Sequence, residues 1–226
     1  RRQIGTTLAG ALHATYRRLT DNGPYRIDGE AIGRRALRNA CLGYLAAADS
    51  TGVKLARAQF DAQANMTDVL AALDVLAATD ARDREAALAA FHAKWRGDDL
   101  VLDKWFAIQA ASPRPQTVED VRALYRHPDF DLRNPNRVRA LVGVFSAGNQ
   151  VRFHDASGAG YRFLADAVIA LDPINGQTAA RLVNPLGAWR RQNAARQALM
   201  RTELERILAT PKLSRGTFEK VSKGLA

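Results

Sequence analysis

Residues 67–77, TDVLAALDVLA, carry the clearest structural signal in this chain of 226 residues. Their valine and leucine side chains recur at helical spacing and form one apolar stripe. Asp68 would lie at the positive end of the helix dipole, where a carboxylate is stabilising. The stretch therefore predicts an amphipathic helix that begins after Thr67.

Similar apolar stripes follow this segment along the chain, whereas the alternation with a period of two that marks a strand is almost absent. Segments rich in glycine and proline, such as residues 112–115, SPRP, separate the stripes because they cannot continue a helix. The stripes contain Leu88, Phe91, His92 and Trp95; Leu102, Trp105, Phe106 and Gln109; Val118, Val121, Leu124 and Tyr125; Val138, Leu141, Val142 and Phe145; Tyr161, Leu164, Val168 and Leu171; and, in a last long helix, Trp189, Leu199, Met200, Leu204, Ile207 and Leu208.

Polar residues at the segment borders predict where individual helices begin and end. Thr117 is a candidate N-cap, since Asp120 follows three residues later as in a capping box. Gly148 closes the helix that precedes it. Either Ser214 or Thr217 caps a short final helix.

These segments predict an all-α fold. Helices of moderate length joined by short loops mostly run antiparallel to their neighbours, so that each pair buries its apolar stripes. We therefore expect antiparallel helix pairs stacked in a curved α-solenoid of the armadillo or HEAT kind, with residues 1–226 forming a single domain. The sequence contains no strict repeat, so a compact helical bundle is the alternative.

Composition and charge exclude several classes of protein. The apolar runs are much shorter than the roughly 20 residues of a membrane span, so no transmembrane helix is expected. Cys41 is the only cysteine, which rules out an intramolecular disulfide, fits a buried apolar role and is compatible with the cytoplasm. The net charge of +10 comes mostly from arginines spread along the chain, a pattern typical of a solvated helical surface and not of a nucleic-acid interface.

The chain shows no catalytic motif of its own. A zinc hydrolase commonly uses two histidines four residues apart on one helix, and the four histidines, at positions 13, 92, 127 and 154, lack that spacing. His154 and Asp155 adjoin a glycine-rich turn, residues 157–161, where loop hydrogen bonding is the expected role. We therefore predict that this chain contains no metal ligands and no catalytic residues.

Several long strings, taken in order, resemble the C-terminal domain of bacterial aminopeptidase N, a zinc metalloaminopeptidase family. The similarity covers essentially the whole chain and is least sharp before Gly33. The strings are GRRALRNACLGYL (33–45), NMTD (65–68), KWRGDDLVLDKWFAIQA (94–110), NPNRVRALVGVF (134–145), FHDASGAGYRFLADAVIALDPINGQTAARLVNPL (153–186) and FEKVSKGLA (218–226).

The resemblance implies a larger, multidomain, cytoplasmic enzyme of peptide catabolism that releases N-terminal amino acids from peptides. Its zinc would lie in a separate catalytic domain of the same polypeptide, and this domain would cap that catalytic domain, wall the substrate chamber and restrict access. The chain begins at Arg1 without a methionine or a signal-peptide core, which also predicts a piece of a longer polypeptide. Expected partners are the catalytic domain and peptide substrates, with no nucleic acid and no membrane.

Two residues are candidates for the wall of that chamber. In bacterial members of the family a glutamine and an arginine point into the chamber, and the resemblance places them here at Gln177 and Arg181. Their spacing of four residues puts them on one helical face. The alternative for Arg181 is an ion pair with a loop carboxylate such as Asp172.

A different class of function is the alternative for the whole chain. A free-standing helical-repeat scaffold with a basic concave face would bind protein or nucleic acid through its excess of positive charge. Salt-sensitive binding to DNA or RNA distinguishes this hypothesis from the aminopeptidase domain.

Overall fold

The structure is a computed structural model that describes residues 1–21, 23–80 and 83–226. Within these ranges it contains helices and no strand, which confirms the all-α prediction. The chain divides into two compact units, Arg1–Lys94 and Trp95–Ala226, called here the first and the second unit. Among the described residues, no helix has both the length and the apolar character that crossing a bilayer requires.

In the first unit the long helix α3 contacts α1, α2, α4 and α5. Asp28 caps α3, and Asp49, at its end, caps α4 by accepting a hydrogen bond from the Thr51 N–H. A Cβ at Gly52 would lie 2.2 Å from the Leu45 carbonyl carbon, so glycine is needed for the close approach of α3 and α4. The described helices are α1 (Arg2–Thr7), α2 (Ala9–Arg18), α3 (Gly29–Ala48), α4 (Ser50–Ala62), α5 (Met66–Ala77) and α6 (Asp83–Trp95), whose last residue lies in the second unit.

A buried polar network ties α2, α3, α4 and α5 together around Asp68, which is 6% exposed. Arg38 donates through Nη2 to the Tyr16 hydroxyl, and that hydroxyl donates to Gln59 Oε1. The Asp68 carboxylate accepts hydrogen bonds from Arg38 Nη1 (3.2 Å), Asn39 Nδ2 (2.8 Å) and Asn65 Nδ2 (3.0 Å).

In the second unit a π-helix, in which hydrogen bonds span one residue more than in an α-helix, continues directly from α9. The π-helix packs against α7, α8, α10 and α11, while α14 packs against α11 and α15. The described elements are α7 (Asp99–Ala110), α8 (Thr117–Tyr125), α9 (Pro135–Val138), the π-helix (Arg139–Gly148), α10 (Gln150–Phe153), α11 (Ala159–Leu171), α12 (Gly176–Leu182), α13 (Asn184–Gly187), the 3₁₀ turn (Trp189–Arg191), α14 (Ala194–Leu208) and α15 (Arg215–Leu225).

Two predicted helix starts differ from the structure in the residue that precedes the helix. Helix α5 begins at Met66, earlier than predicted, since Asn65 Oδ1 accepts the hydrogen bond of the Asp68 N–H at 2.9 Å. Thr117 is not a cap: it is the first residue of α8, and its hydroxyl donates to the Ser112 carbonyl at 2.9 Å. Its hydroxyl therefore holds the preceding loop.

Two predictions in the second half of the chain are also wrong in detail. The predicted helix around Val142 is α-helical only as far as Val138 and then becomes the π-helix, whose Gly143 and Gly148 are poor α-helix formers. Trp189 lies on the 3₁₀ turn before α14, not on α14 itself. For the last helix, Ser214 is the capping residue.

The cores of both units contain the predicted apolar stripes. Cys41 is a free thiol at 3% exposure, which confirms its apolar role. Trp105 is buried as predicted, whereas Trp95 and Trp189 are half-buried. Ring contacts in the second unit link Phe145 edge-on to Phe153 and to Phe163.

Candidate functional site

A cleft of about 550 Å³ opens in the second unit, between the π-helix and the segment that runs from α12 to the 3₁₀ turn. Such a volume is ordinary for a small-molecule or peptide site. Its lining is Val138, Arg139, Gly143, Ser146, Ala147, Gln150, His154, Thr178, Arg181, Leu182, Asn184, Pro185, Ala188, Arg191 and Gln192.

Local sequence determines the wall of the cleft that is formed by the end of α9 and the π-helix. Asn134 caps α9 by accepting hydrogen bonds from two backbone N–H groups, and Pro135 occupies the first helical position. The π-helix that follows turns Arg139 toward the cleft, and the Arg139 stem lies beside Gly143, where an added Cβ would be 3.4 Å from Cγ. Ser146 does not offer its hydroxyl to a ligand, because Oγ donates to the Val142 carbonyl at 2.8 Å.

Arg137 and Arg139 show two different uses of the same side chain. Arg137 is 3% exposed and donates to Asp103 Oδ1 at 2.5 Å and to Asp99 Oδ1 at 3.0 Å. Arg139, two residues later, is exposed and makes no ion pair with any residue that the structure describes. Arg137 therefore stabilises the fold, while the Arg139 guanidinium is available in the cleft.

Three arginines line the cleft without a carboxylate among the lining residues. Arg139 comes from the π-helix, Arg181 from α12 and Arg191 from the 3₁₀ turn. All three are exposed, and none forms an ion pair within the described ranges. A cleft lined by charges of one sign concentrates ligands of the opposite sign, so this site favours anions.

Gln177 and Arg181 are exposed on α12, which begins at Gly176 and is capped by Asn175. Arg181 lines the cleft, whereas Gln177 lines an adjoining groove of about 450 Å³ together with Arg181 and Lys220. The structure thus brings the two predicted residues to neighbouring surfaces that share the Arg181 side chain.

The alternative ion pair between Arg181 and Asp172 does not form. Asp172 accepts hydrogen bonds from the Ser214 N–H at 2.7 Å and the Ser214 hydroxyl at 2.6 Å. Burial alone would raise the pKa of the Asp172 carboxyl, but hydrogen bonds from Ser214 and Thr217 outweigh it and hold that pKa below its ordinary value. Asp172 therefore fixes the start of α15 against the end of α11.

His154 contributes an imidazole to the cleft wall, and its Nδ1 lies 2.8 Å from the Tyr161 hydroxyl. Burial, followed by the positive charge of Arg196, lowers the pKa of His154 below its ordinary value. The Asp155 carboxylate is engaged separately by the Ser157 N–H at 2.9 Å. These contacts agree with the predicted loop hydrogen bonding.

The 3₁₀ turn that presents Arg191 is held in place by the C-terminal residues. Trp189 Nε1 donates to the Gly224 carbonyl at 2.9 Å, and the Arg190 guanidinium donates to the Gly224 and Leu225 carbonyls at 3.0 and 3.1 Å. Arg190 also stacks over the Trp189 ring, 4.3 Å from its centroid. Arg191 is therefore carried by an anchored turn.

Arg139 and Arg191 were not predicted from the sequence to be site residues. Their only sequence signal is the arginine pair 190–191 and the RVR string at 137–139, both of which are typical of a solvated surface. The three arginines are separated by many residues, so only the fold brings them together. The absence of metal ligands in this chain stays a prediction.

Comparison with known proteins shows similarity along the whole chain. A family model described as "Domain of unknown function (DUF3458_C) ARM repeats" matches residues 1–226. The chain is 48% identical to aminopeptidase N of Caulobacter vibrioides over all of its length, 44% to that of Haemophilus influenzae over 93% of it, and 40% to that of Escherichia coli over all of it. It spans about a quarter of the length of these relatives.

The fold is also found in a solved structure. Aminopeptidase A of Legionella pneumophila, in complex with aspartic acid, superposes with a TM-score of 0.91 at 31% sequence identity, covering 99% of this chain and 27% of that one. Together with the ARM-repeat family model, this confirms the predicted class of stacked helix pairs. The resemblance to aminopeptidase N is confirmed as well.

Proposed function

This chain belongs to the DUF3458_C family of ARM-repeat domains, and from that premise we propose that it is the helical C-terminal domain of an aminopeptidase N. The parent enzyme would release N-terminal amino acids from peptides in the cytoplasm. The observation that carries the proposal is identity of 40 to 48% with three aminopeptidases N over 93% or more of the chain.

The chain's own contribution would be to cap the catalytic domain, wall the substrate chamber and restrict access to it. Zinc would be held by the catalytic domain of the same polypeptide, where it would polarise the peptide carbonyl and activate water. The four histidines of this chain lack the spacing of a helical zinc site, so we derive no catalytic step from its residues.

Gln177 and Arg181 would position the peptide. A guanidinium binds a carbonyl or carboxylate through two parallel hydrogen bonds, and the Arg181 side chain is exposed and without an ion pair among the described residues. The Gln177 amide can donate to a backbone carbonyl from the same helical face. Their role would therefore be binding and orientation, with chemistry left to the catalytic domain.

Kinetics of the full-length enzyme that contains this chain would test the proposal. Arg181→Gln should raise KM for a peptide about tenfold with kcat little changed, because a charge-assisted hydrogen bond contributes about 1.5 kcal/mol or more. Gln177→Ala should raise KM about threefold. The matched control is Arg126→Gln, an exposed arginine that does not line the cleft.

Activity of the isolated chain provides the second arm. The purified 226-residue chain should fold and cleave no peptide with or without zinc. The proposal is that this chain positions the peptide and the catalytic domain cleaves it. Zinc-dependent peptidase activity in this chain, or an unchanged KM in the Arg181→Gln enzyme, contradicts that proposal.

A second candidate function is a basic helical-repeat scaffold that binds protein or nucleic acid. The net charge of +10 and the unpaired arginines of the cleft favour it. Binding of DNA or RNA would then weaken steeply with salt, because each phosphate contact releases counterions. The aminopeptidase proposal instead expects only weak association at physiological salt, and no membrane partner.

A further inference from the structure

The cleft contains several positive charges that form no ion pair within the described residues and so do not stabilise the fold. Three guanidiniums from three separate elements, at Arg139, Arg181 and Arg191, face one cavity, and the described residues that line it include no carboxylate. Like charges gathered in one cleft repel one another and oppose folding. Elsewhere in the same unit buried arginine is paired, as Arg137 is with Asp99 and Asp103. The cleft is therefore complementary to an anion supplied from outside the chain.

Packing and hydrogen bonds fix the segments that carry Arg139 and Arg191. The stem of Arg139 lies over Gly143, and the turn that carries Arg191 is tied to the Gly224 carbonyl through Trp189 and to the Gln197 amide, which donates to the Gln192 carbonyl at 2.7 Å. Preorganised donors bind more tightly than mobile ones, because less side-chain entropy is lost on binding.

The other lining residues restrict the class of anion. Asn184 and Gln192 place amide groups beside the three arginines, and amides pair with the N–H and C=O groups of a peptide. Guanidinium matches carboxylate in shape and bonds to it through two parallel hydrogen bonds. Apolar groups of Val138, Leu182 and Pro185 complete the wall and suit a peptide better than a bare inorganic ion.

We propose that this cleft is a binding site for a peptide carboxylate, held by Arg139, Arg181 and Arg191. The carboxylate would be the C-terminal group of a short peptide or the side chain of an aspartate or glutamate within it. The choice of a peptide as carrier rests on the proposed function, whereas the preference for a carboxylate rests on the charges of the cleft.

Equilibrium titration of the isolated chain with N-acetylated tripeptides tests the site. The probes are acetyl-Ala-Ala-Ala, its C-terminal amide, and the amides of acetyl-Ala-Asp-Ala and acetyl-Ala-Asn-Ala. At least one carboxylate peptide should bind ten times or more tightly than its uncharged partner. The peptide pair that shows this difference in affinity identifies whether the C-terminal group or the aspartate side chain supplies the carboxylate.

Variants assign the binding to the cleft. Arg139→Gln and Arg191→Gln should each weaken binding of the carboxylate peptide about tenfold, and Arg126→Gln should leave it unchanged. Circular dichroism and a thermal melt of each variant establish that it is folded. Folded variants with undiminished affinity overturn the proposal, as does equal binding of the charged and uncharged peptides.

Inorganic phosphate serves as the competing probe. If phosphate binds as tightly as the carboxylate peptide, the cleft is a general anion site and the proposal is overturned. The titration needs no peptide hydrolysis, so its outcome is independent of the kinetic tests of Arg181 and Gln177. Carboxylate binding without peptidase activity in the parent would contradict the proposed function alone.

Discussion

Arg38 in the first unit and Arg181 in the second both project from helices, yet one guanidinium pairs with the buried Asp68 and the other faces a cleft whose described lining has no acidic residue. Around Asp68, three side chains donate to a single carboxylate. Around the cleft, three exposed arginines have no ion pair among the described residues. Positive charge in this chain thus has two uses, which burial and pairing distinguish and net charge does not.

The comparison predicts opposite responses to the loss of a charge. Removing one partner of a buried ion pair leaves an uncompensated charge in the low-dielectric protein interior, which is strongly destabilising. Removing a cation from a cluster of like charges relieves repulsion and affects ligand binding instead of folding. Four measurements test this distinction.

The largest effect is expected from Asp68→Ala, which should lower the free energy of unfolding by about 3 kcal/mol. Arg38, whose side chain is 13% exposed, would then keep a largely buried charge without its carboxylate partner. Urea denaturation of the isolated chain measures the change. Asp61→Asn breaks an exposed pair with Arg57 and should cost less than about 0.5 kcal/mol. Equal losses in the two variants would remove the distinction.

Asp172→Asn should cost about 1.5 kcal/mol at neutral pH, because the charged carboxylate accepts two hydrogen bonds from Ser214. The folded pKa of Asp172 is below its unfolded value of about 3.9, so its stabilisation is present above that pH and is lost as pH falls through the lower, folded pKa. Unfolding measured between neutral and acidic pH should show this loss in the native chain and not in the variant. Asp166→Asn, at an exposed ion pair, is the control.

His154 predicts a smaller change of stability with pH. Its folded pKa lies below the unfolded value of about 6.5, so the folded chain resists protonation and loses stability as pH falls through that region. Thermal melts from pH 8 to 5 should show this decline, and His154→Gln should reduce it. His13→Gln controls for the loss of an imidazole in the other unit. A pH response that is the same with and without His154 would contradict the prediction.

The smallest effect on folding is expected at the cleft. Arg139→Gln and Arg191→Gln should leave the free energy of unfolding within about 0.5 kcal/mol of the native value, or raise it slightly. The same denaturation experiment applies. A loss as large as that of Asp68→Ala would mean that these arginines hold the fold together, and the contrast between the two regions would disappear.

Helical periodicity was sufficient to predict the fold class and the apolar stripes, because burial of a helix face depends on residues that are close in sequence. The residues at which the helices begin and end were less predictable. Asn65 and Thr117 are both plausible caps, and only the structure shows that one caps α5 while the other bonds to Ser112. The change to π-winding after Val138 has no pattern in the sequence that distinguishes it from an α-helix.

The site was predictable only in part. The spacing of Gln177 and Arg181 placed both on one face of α12, but their choice came from family resemblance and not from charge. Arg139 lies far before α12 in sequence and Arg191 lies beyond α13, and both look like surface arginines until the fold brings them to the same cavity. Their lack of carboxylate partners is a property of three-dimensional contacts, which a single sequence does not display.

The π-helix has a consequence for how related chains diverge. Each of its hydrogen bonds spans one residue more than an α-helical hydrogen bond, so loss of a single residue between positions 139 and 148 can be absorbed by rewinding into an α-helix. Such a deletion would keep α9 and α10 as neighbours and yet rotate the side chains between them about the helix axis. A one-residue gap in this stretch of a relative would thus mark an altered direction for the counterpart of Arg139, and with it a change in which ligands that relative selects.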